Sequence, residues 1–497
     1  MLSLLPTVVV FLLIIEPSLS SANNTTPTTS INNEPCPDIF SSNITKLNNC
    51  GRRGWVDEPN GRGTMDIIWS CCFTMFLCSW SSLCLNVPGP NDSQWKILWR
   101  KACLTALALL GPEFIFQIAL SQWESARRSV EDFEALGVEG WTMTHAFYTD
   151  MGGFVLKTKD SEPFPINAKQ LHYLITKGHV EFPKIDERLI ADKNKLDGML
   201  RLITILQTLW FVISLCGRAS QQMAITTGEL TTAAFIVCSV ATTVCWYNKP
   251  ADVQTPEIIE TNTPLEQILA EAGDAANRQY RQTPLDFLTR KEWPWSLYWS
   301  NWTNILRKMR IIIQVHRRPV DRFQNTIVPE PSRLGYGLFL ALTVIYASIF
   351  VCGWNYSFPT RTEQYLWRIS SVAVLVCAFL FWAVGHFAFS VYPSLTRPFL
   401  ESRRKGNGKV DEESPPNSTW HAFRQRASRV GARIRNNSIE RDPELTIPLK
   451  AILPIYVLGV VYCHARTYIF LEDILELRSL PASAYSTVNW IDFAPHV

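Results

Sequence analysis

Histidine and aspartate five residues apart, His145 and Asp150, stand in the densest polar and aromatic stretch of the chain, Gly140–Phe154 (GWTMTHAFYTDMGGF). Imidazole titrates near neutrality and a carboxylate can orient it, so the pair could act as general base and acid. The plainer reading is a tight turn at Gly152-Gly153 with polar side chains closing short elements around it. Glu113 is a third candidate. It lies inside an apolar segment, where a carboxyl is costly and needs a partner or a cavity. These three form a catalytic group only if they converge within hydrogen-bond or single-water reach. Glu229, His386, His464 and Arg466 are the other ionisable residues within apolar stretches. Arg466 precedes Glu472 and Asp473 by six and seven residues, a spacing that permits an intramembrane ion pair; the plain reading of all of them is glue between helices. No metal or cofactor is expected, since His145 has no companion ligands and GxxxxGK[ST], HExxH, GxSxG and paired CxxC motifs are absent.

The elements that must position these residues are apolar helices. Six stretches, 65–85, 199–217, 223–247, 335–353, 370–390 and 451–471, each approach the roughly 20 residues that cross a bilayer. The composition agrees: 47% of the 497 residues are hydrophobic and only 18% are charged. A net charge of +3 argues against a nucleic-acid partner. A seventh stretch, 102–121, carries Gly111-Pro112-Glu113 at its centre. Proline removes a backbone donor there, so a broken, re-entrant or interfacial segment is favoured over a full span. The expected fold is therefore an all-α integral membrane protein: six transmembrane helices, one broken or re-entrant apolar segment, and a small cytosolic α(+β) loop domain.

Residues 1–22 read as a signal peptide, apolar then small, with an uncleaved anchor as the competing reading. Residues 23–64 then lie in the lumen or outside the cell, with glycosylation sequons at Asn23, Asn24 and Asn43; a further sequon is at Asn355. Cys36 and Cys50 could close a disulfide there or remain two free thiols; the other eleven cysteines read as small packing residues. Loops 86–198, 248–334 and 391–443 hold 13, 12 and 11 of the 47 Lys and Arg residues, which places them in the cytosol. The tail 472–497 falls on the lumenal side. The first loop is patterned as a folded unit: a charged helix near 125–136 ended by Gly137, a strand at Phe154–Leu156, and a helix opened by an Asn167/Gln170 capping box and stopped by Gly178. The second contains an aromatic and basic stretch, 293–313, suited to lying in the headgroup region or against the protein. The third is basic.

Several strings resemble a large group of uncharacterised multi-pass membrane proteins of filamentous and mushroom-forming fungi. They include GWVDEPNGRGT at 54–64, WTMTHAFYTDMGGF at 141–154, WNYSFPTRTEQYLWRISS at 354–371, LRSLP at 477–481 and the stretch 485–496. The resemblance implies a multi-pass membrane protein and carries no reaction or ligand; the apolar leader is what points to the secretory pathway, at the endoplasmic reticulum or plasma membrane. Function classes stay open on these grounds. The first is a structural or signalling membrane protein that recruits a protein partner on its cytosolic face or senses the lipid bilayer. The second is a membrane-embedded enzyme for an apolar metabolite, and the third is a small-molecule transporter, less favoured because no internal repeat is visible.

Overall fold

The computed structural model describes residues 52–57, 61–183, 185–193, 198–277, 280, 282–288, 318–325, 329–387, 391, 426 and 449–490. The leader, the sequons at Asn23, Asn24 and Asn43, the Cys36–Cys50 pair, the stretch 293–313 and all but two residues of 391–443 lie outside the described residues. In chain order the helices are α1 (Thr64–Ser82), α2 (Gln94–Leu110), α3 (Pro112–Ala135), α4 (Met143–Asp150), α5 (Ala168–Thr176), α6 (Glu187–Asp192), α7 (Gly198–Ser220) and α8 (Thr227–Cys245). They continue with α9 (Leu265–Ala272), α10 (Arg333–Cys352), α11 (Arg361–His386) and α12 (Leu449–Leu475). Among the described residues, five helices are long and apolar enough to cross a membrane, at residues 199–220, 227–245, 333–355, 361–386 and 453–478.

α8 is the axis of the bundle. In its span 67% of residues are buried, against 11% for α7, and α1, α3, α10 and α12 all pack on it. Its sequence, TGELTTAAFIVCSVATTVC, is rich in Thr, Ala, Ser and Cys. Small side chains let neighbouring backbones approach closely, which is how helices associate when lipid is the solvent. α1 lies alongside α8 from end to end. Arg62, just before α1, pairs with Glu229 in the first turn of α8, and Cys84, just after α1, accepts a hydrogen bond from Lys249 beyond the end of α8.

The segment expected at 102–121 is two helices. α2 and α3 meet at Gly111-Pro112 with a bend of 113°. Pro112 sits in the first turn of α3, where its missing N–H costs nothing. The start of α2 and the end of α3 lie at one end of the bundle, held by Lys101–Asp252 and Ser125–Asp150. Their shared turn reaches α12, where Arg466 Nε donates to the Leu110 carbonyl at 3.3 Å. The pair is therefore bent inside the bundle, as a broken span or a re-entrant loop is.

Two polar faces close the bundle. The terminal face gathers residues 52–57, 61–63, 221–226, 353–360 and 476–490. Strand β1 (Arg52–Arg53) pairs antiparallel with β5 (Leu480–Pro481), and Arg52 donates to the carbonyls of Ser357, Phe358 and Ser479. Tyr485 donates to the Gly54 carbonyl at 2.7 Å, so two of the family-like strings meet here. The opposite, domain face carries a three-stranded sheet ordered β3-β2-β4. Central β2 (Phe154–Lys157) is antiparallel to β3 (Phe164–Ile166) and parallel to β4 (Glu257–Glu260). Loops 86–198 and 248–334, read separately from sequence, thus build one unit. α5 opens with the reciprocal Asn167/Gln170 box and is followed by Gly178 at φ +73°, as the spacing predicts.

Candidate functional site

The Gly140–Phe154 stretch is architectural. Trp141 stacks on Phe133 of α3 with ring centroids 4.2 Å apart and donates to Ser129 at 3.1 Å. Both His145 ring nitrogens are occupied: Nε2 lies 2.9 Å from the Ile185 carbonyl, and Nδ1 accepts from the Thr142 N–H at 3.2 Å. That pairing closes the N-terminus of α4. Asp150 joins three helices. Its carboxylate accepts from Ala168 N–H at the start of α5 at 3.0 Å and from Ser125 of α3 at 2.9 Å. Burial pushes the Asp150 carboxyl above its usual range, moderated by those hydrogen bonds. Gly152 holds φ +86°, and a Cβ on Gly153 would stand 2.4 Å from the Tyr148 carbonyl, so neither position tolerates a side chain.

Glu113 lies elsewhere. Ser125, which holds Asp150, is twelve residues further along α3, or about 18 Å at 1.5 Å per residue. The structure does not bring Glu113, His145 and Asp150 together, because α3 is a straight spacer between them. No catalytic group of these three forms.

What Glu113 does meet is a polar cluster built from two other elements, α10 and α12. Pro112 and the bend aim the first turn of α3 at the middle of α10 and α12. There the Tyr462 hydroxyl contacts one Glu113 carboxylate oxygen, and Tyr346 and Arg466 lie within electrostatic reach. Glu113 is 3% exposed, and its Oε2 has no hydrogen-bond partner; one turn on, Gln117 is 2% exposed and its Nε2 is likewise unpartnered. Both residues line a cavity of about 50 Å³ bounded by α3, α10, α11 and α12. Its remaining walls are largely apolar, among them Phe339, Leu340, Val374 and Phe381, and at the far end lie Tyr336 and the exposed Trp382. Behind Glu113, Arg466 is 2% exposed and sits over the rings of Phe350 and Phe470 at 4.8 and 4.7 Å. Such cation–π contacts partly replace lost hydration.

The expected ion pair of Arg466 with Glu472 or Asp473 does not form. Asp473 accepts from Thr231, Glu472 from Tyr468, and Arg466 turns to the aromatic rings and the Leu110 carbonyl. The remaining intramembrane candidates are structural. Glu229 closes its own helix through the Thr226 capping box and pairs with Arg62. His464 bonds the Val460 carbonyl of its own helix, and His386 stacks on Trp382. Tyr346, Tyr462 and Gln117 were not legible as site residues: neutral polar groups leave no mark on hydropathy. The one signal was Glu113 itself, which had to have neighbours.

α3 connects this cluster to the domain face. Beyond Gln117, its Gln122 accepts from Lys249 and Trp246, Glu124 accepts from Ser332 at the start of α10, and Ser125 holds Asp150. Lys249 is buried, and burial lowers its ammonium pKa to about 8. Among the described residues no group of three His, Cys, Asp or Glu side chains converges to hold a metal. All eleven described cysteines are free thiols.

Residues 39–271 match a family of unknown function (DUF8562). That match covers α1 through α8 and all but the last residue of α9, and so includes the bent pair α2–α3, while α10, α11 and α12 lie beyond it. No curated protein and no solved structure matches the chain.

Proposed function

We propose that this protein is a bilayer-embedded sensor: it holds an amphiphilic, largely apolar molecule in the cavity beside Glu113 and transmits occupancy to the domain face through α3. The observation that carries this reading is a set of three unpartnered buried polar atoms in the cavity lining, the Tyr346 hydroxyl of α10 and Glu113 Oε2 and Gln117 Nε2 of α3, a helix whose other end supports the domain. An unpaired buried polar group costs about 1–3 kcal/mol, so two of them one turn apart and facing space are retained for a ligand rather than for stability. Lipid-facing walls suit an apolar tail, since few pockets lined this way attract a water-soluble molecule.

The same reading puts the domain face in the cytosol, where it would recruit a protein partner, and the terminal face in the lumen of the secretory pathway. The excess of Lys and Arg in the domain-side loops supports that orientation. Asn355, exposed on the terminal face, is then the sequon that receives glycan, and Asn417, in the basic loop, is not. Glycan on Asn417 instead would invert the assignment.

Turnover of the same molecule is the second reading, favoured by the direct Tyr462–Glu113 contact, a phenolic hydroxyl against a carboxyl. Hydrogen exchange on the reconstituted protein tests the sensor. Loading with hexadecanol changes protection at 143–176 and 329–335, and Ala378→Trp, which fills the cavity, abolishes the change. Exchange on the domain face that ignores loading contradicts the proposal.

A further inference from the structure

From the same cavity we infer that the bound molecule carries a hydroxyl head group, as a long-chain or polycyclic alcohol does, with its oxygen lodged between Glu113 Oε2 and Gln117 Nε2. This rests on the reading of the cavity as an amphiphile site and goes further by naming the head group.

Of the three unpartnered atoms in the lining, the Tyr346 hydroxyl can donate or accept, and the two on α3 are chemically different from each other. A carboxylate Oε2 accepts hydrogen bonds, and an amide Nε2 donates them. Both sit on the same face of α3, four residues apart and therefore one turn, so a single small group can meet both. A hydroxyl is the smallest group that donates and accepts through one atom.

Charged head groups fit worse. A carboxylate or phosphate ligand would face Glu113 across the cavity with no cation in its lining, since Arg466 lies behind Glu113 and is not among the cavity residues. An ammonium would satisfy Glu113 but leave the Gln117 donor against a cation, and it would add positive charge to a cluster that already holds Arg466. With Glu113 ionised, it and Arg466 carry no net charge together, and a neutral ligand keeps that balance. The space available, about 50 Å³, takes a head group and its first few methylenes. The rest of the tail would run past Leu340, Ala378 and Trp382 toward the surface of α10 and α11, where Phe379 and Leu380 are exposed.

The experiment is photo-crosslinking of the full-length protein in nanodiscs with a matched set of C16 diazirine probes: alcohol, methyl ether, carboxylic acid, amine and alkane. Labelled peptides are read by mass spectrometry at 336–346 and 374–382. The alcohol is expected to label these segments about tenfold more than the alkane, acid or amine, a tenfold step being one good hydrogen bond's worth of binding. Glu113→Gln, which replaces the acceptor that faces the cavity with an amide, lowers alcohol labelling about tenfold and leaves ether labelling unchanged, because an ether donates nothing. Gln117→Leu lowers both. If all five probes label these segments equally, the amphiphile site stands and the hydroxyl assignment falls. If the acid or amine labels best, the assignment also falls. If no probe labels them, or if Ala378→Trp leaves labelling intact, the cavity itself is not the site and both readings fail.

Discussion

Two arginines, each about as buried as the other, are treated in opposite ways by this fold. Arg218, 3% exposed at the terminal face, sends its guanidinium to the carbonyls of Ala224, Ser483, Ala484 and Ser486 and faces Glu229. Arg466, 2% exposed in mid-bundle, makes one long hydrogen bond, leaves Nη1 and Nη2 unpartnered, and rests on aromatic rings beside a carboxyl with a free oxygen and a cavity. A buried charge whose donors are spent on backbone is fixing a chain path. One whose neighbours keep capacity in reserve belongs to a site.

The contrast is broken most severely by Arg218→Met. It strips donors from four carbonyls of the turns at 224 and 483–486, and a loss of about 3–5 kcal/mol in unfolding free energy is expected, read as a lowered denaturation midpoint. A loss under 1 kcal/mol would deny the terminal face its structural role.

Next in size is the pH response of the domain face. Lys249 has a folded pKa of about 8, below its ordinary 10.5. Between those values the unfolded chain binds the proton and the folded one does not, so stability rises with pH across pH 8–10.5 and is flat below. The full window is worth about 3 kcal/mol at 1.36 kcal/mol per unit. Wild type minus Lys249→Met, followed by thermal denaturation from pH 7 to 10.5, isolates the slope. A flat difference would mean the ammonium reaches water.

Glu124→Ala comes third. Its carboxylate accepts the Ser332 N–H and hydroxyl, at 2.5 and 2.6 Å, and so anchors the start of α10 to α3. A loss of about 1–3 kcal/mol is expected, together with weaker coupling of ligand to domain protection. Smallest is Asn167→Ala, which removes one half of the capping box on α5 and costs about 1 kcal/mol without touching ligand binding.

Sequence carried the membrane architecture because lipid imposes a length and a composition. Spans expected at 199–217 and 335–353 are α7 and α10 to within a few residues. Where local chemistry competed with hydropathy, the boundaries moved. α11 begins at Arg361, not 370, because Thr360 caps it and its first turns carry Arg361, Glu363 and Arg368, which an apolar window discards. α8 begins at Thr227, not 223, because the Thr226/Glu229 box sets the start. The break at Gly111-Pro112 was legible, as was Glu113. β4 was not: its pairing with β2 spans about a hundred residues, and no local pattern announces a parallel strand across such a gap. The site's neutral members, Tyr346, Tyr462 and Gln117, became visible only once the bend between α2 and α3 was known.

The most direct test of the central claim is the unfolding midpoint of wild type and Glu113→Gln, each measured in nanodiscs with and without hexadecanol. If Glu113 serves a ligand, the empty variant unfolds within about 1 kcal/mol of wild type, since Gln keeps the shape and the Tyr462 contact. Hexadecanol then raises the wild-type midpoint in a concentration-dependent way and the variant's far less. An empty variant that unfolds several kcal/mol too easily, with equal alcohol response in both proteins, would make Glu113 a structural residue and contradict the account.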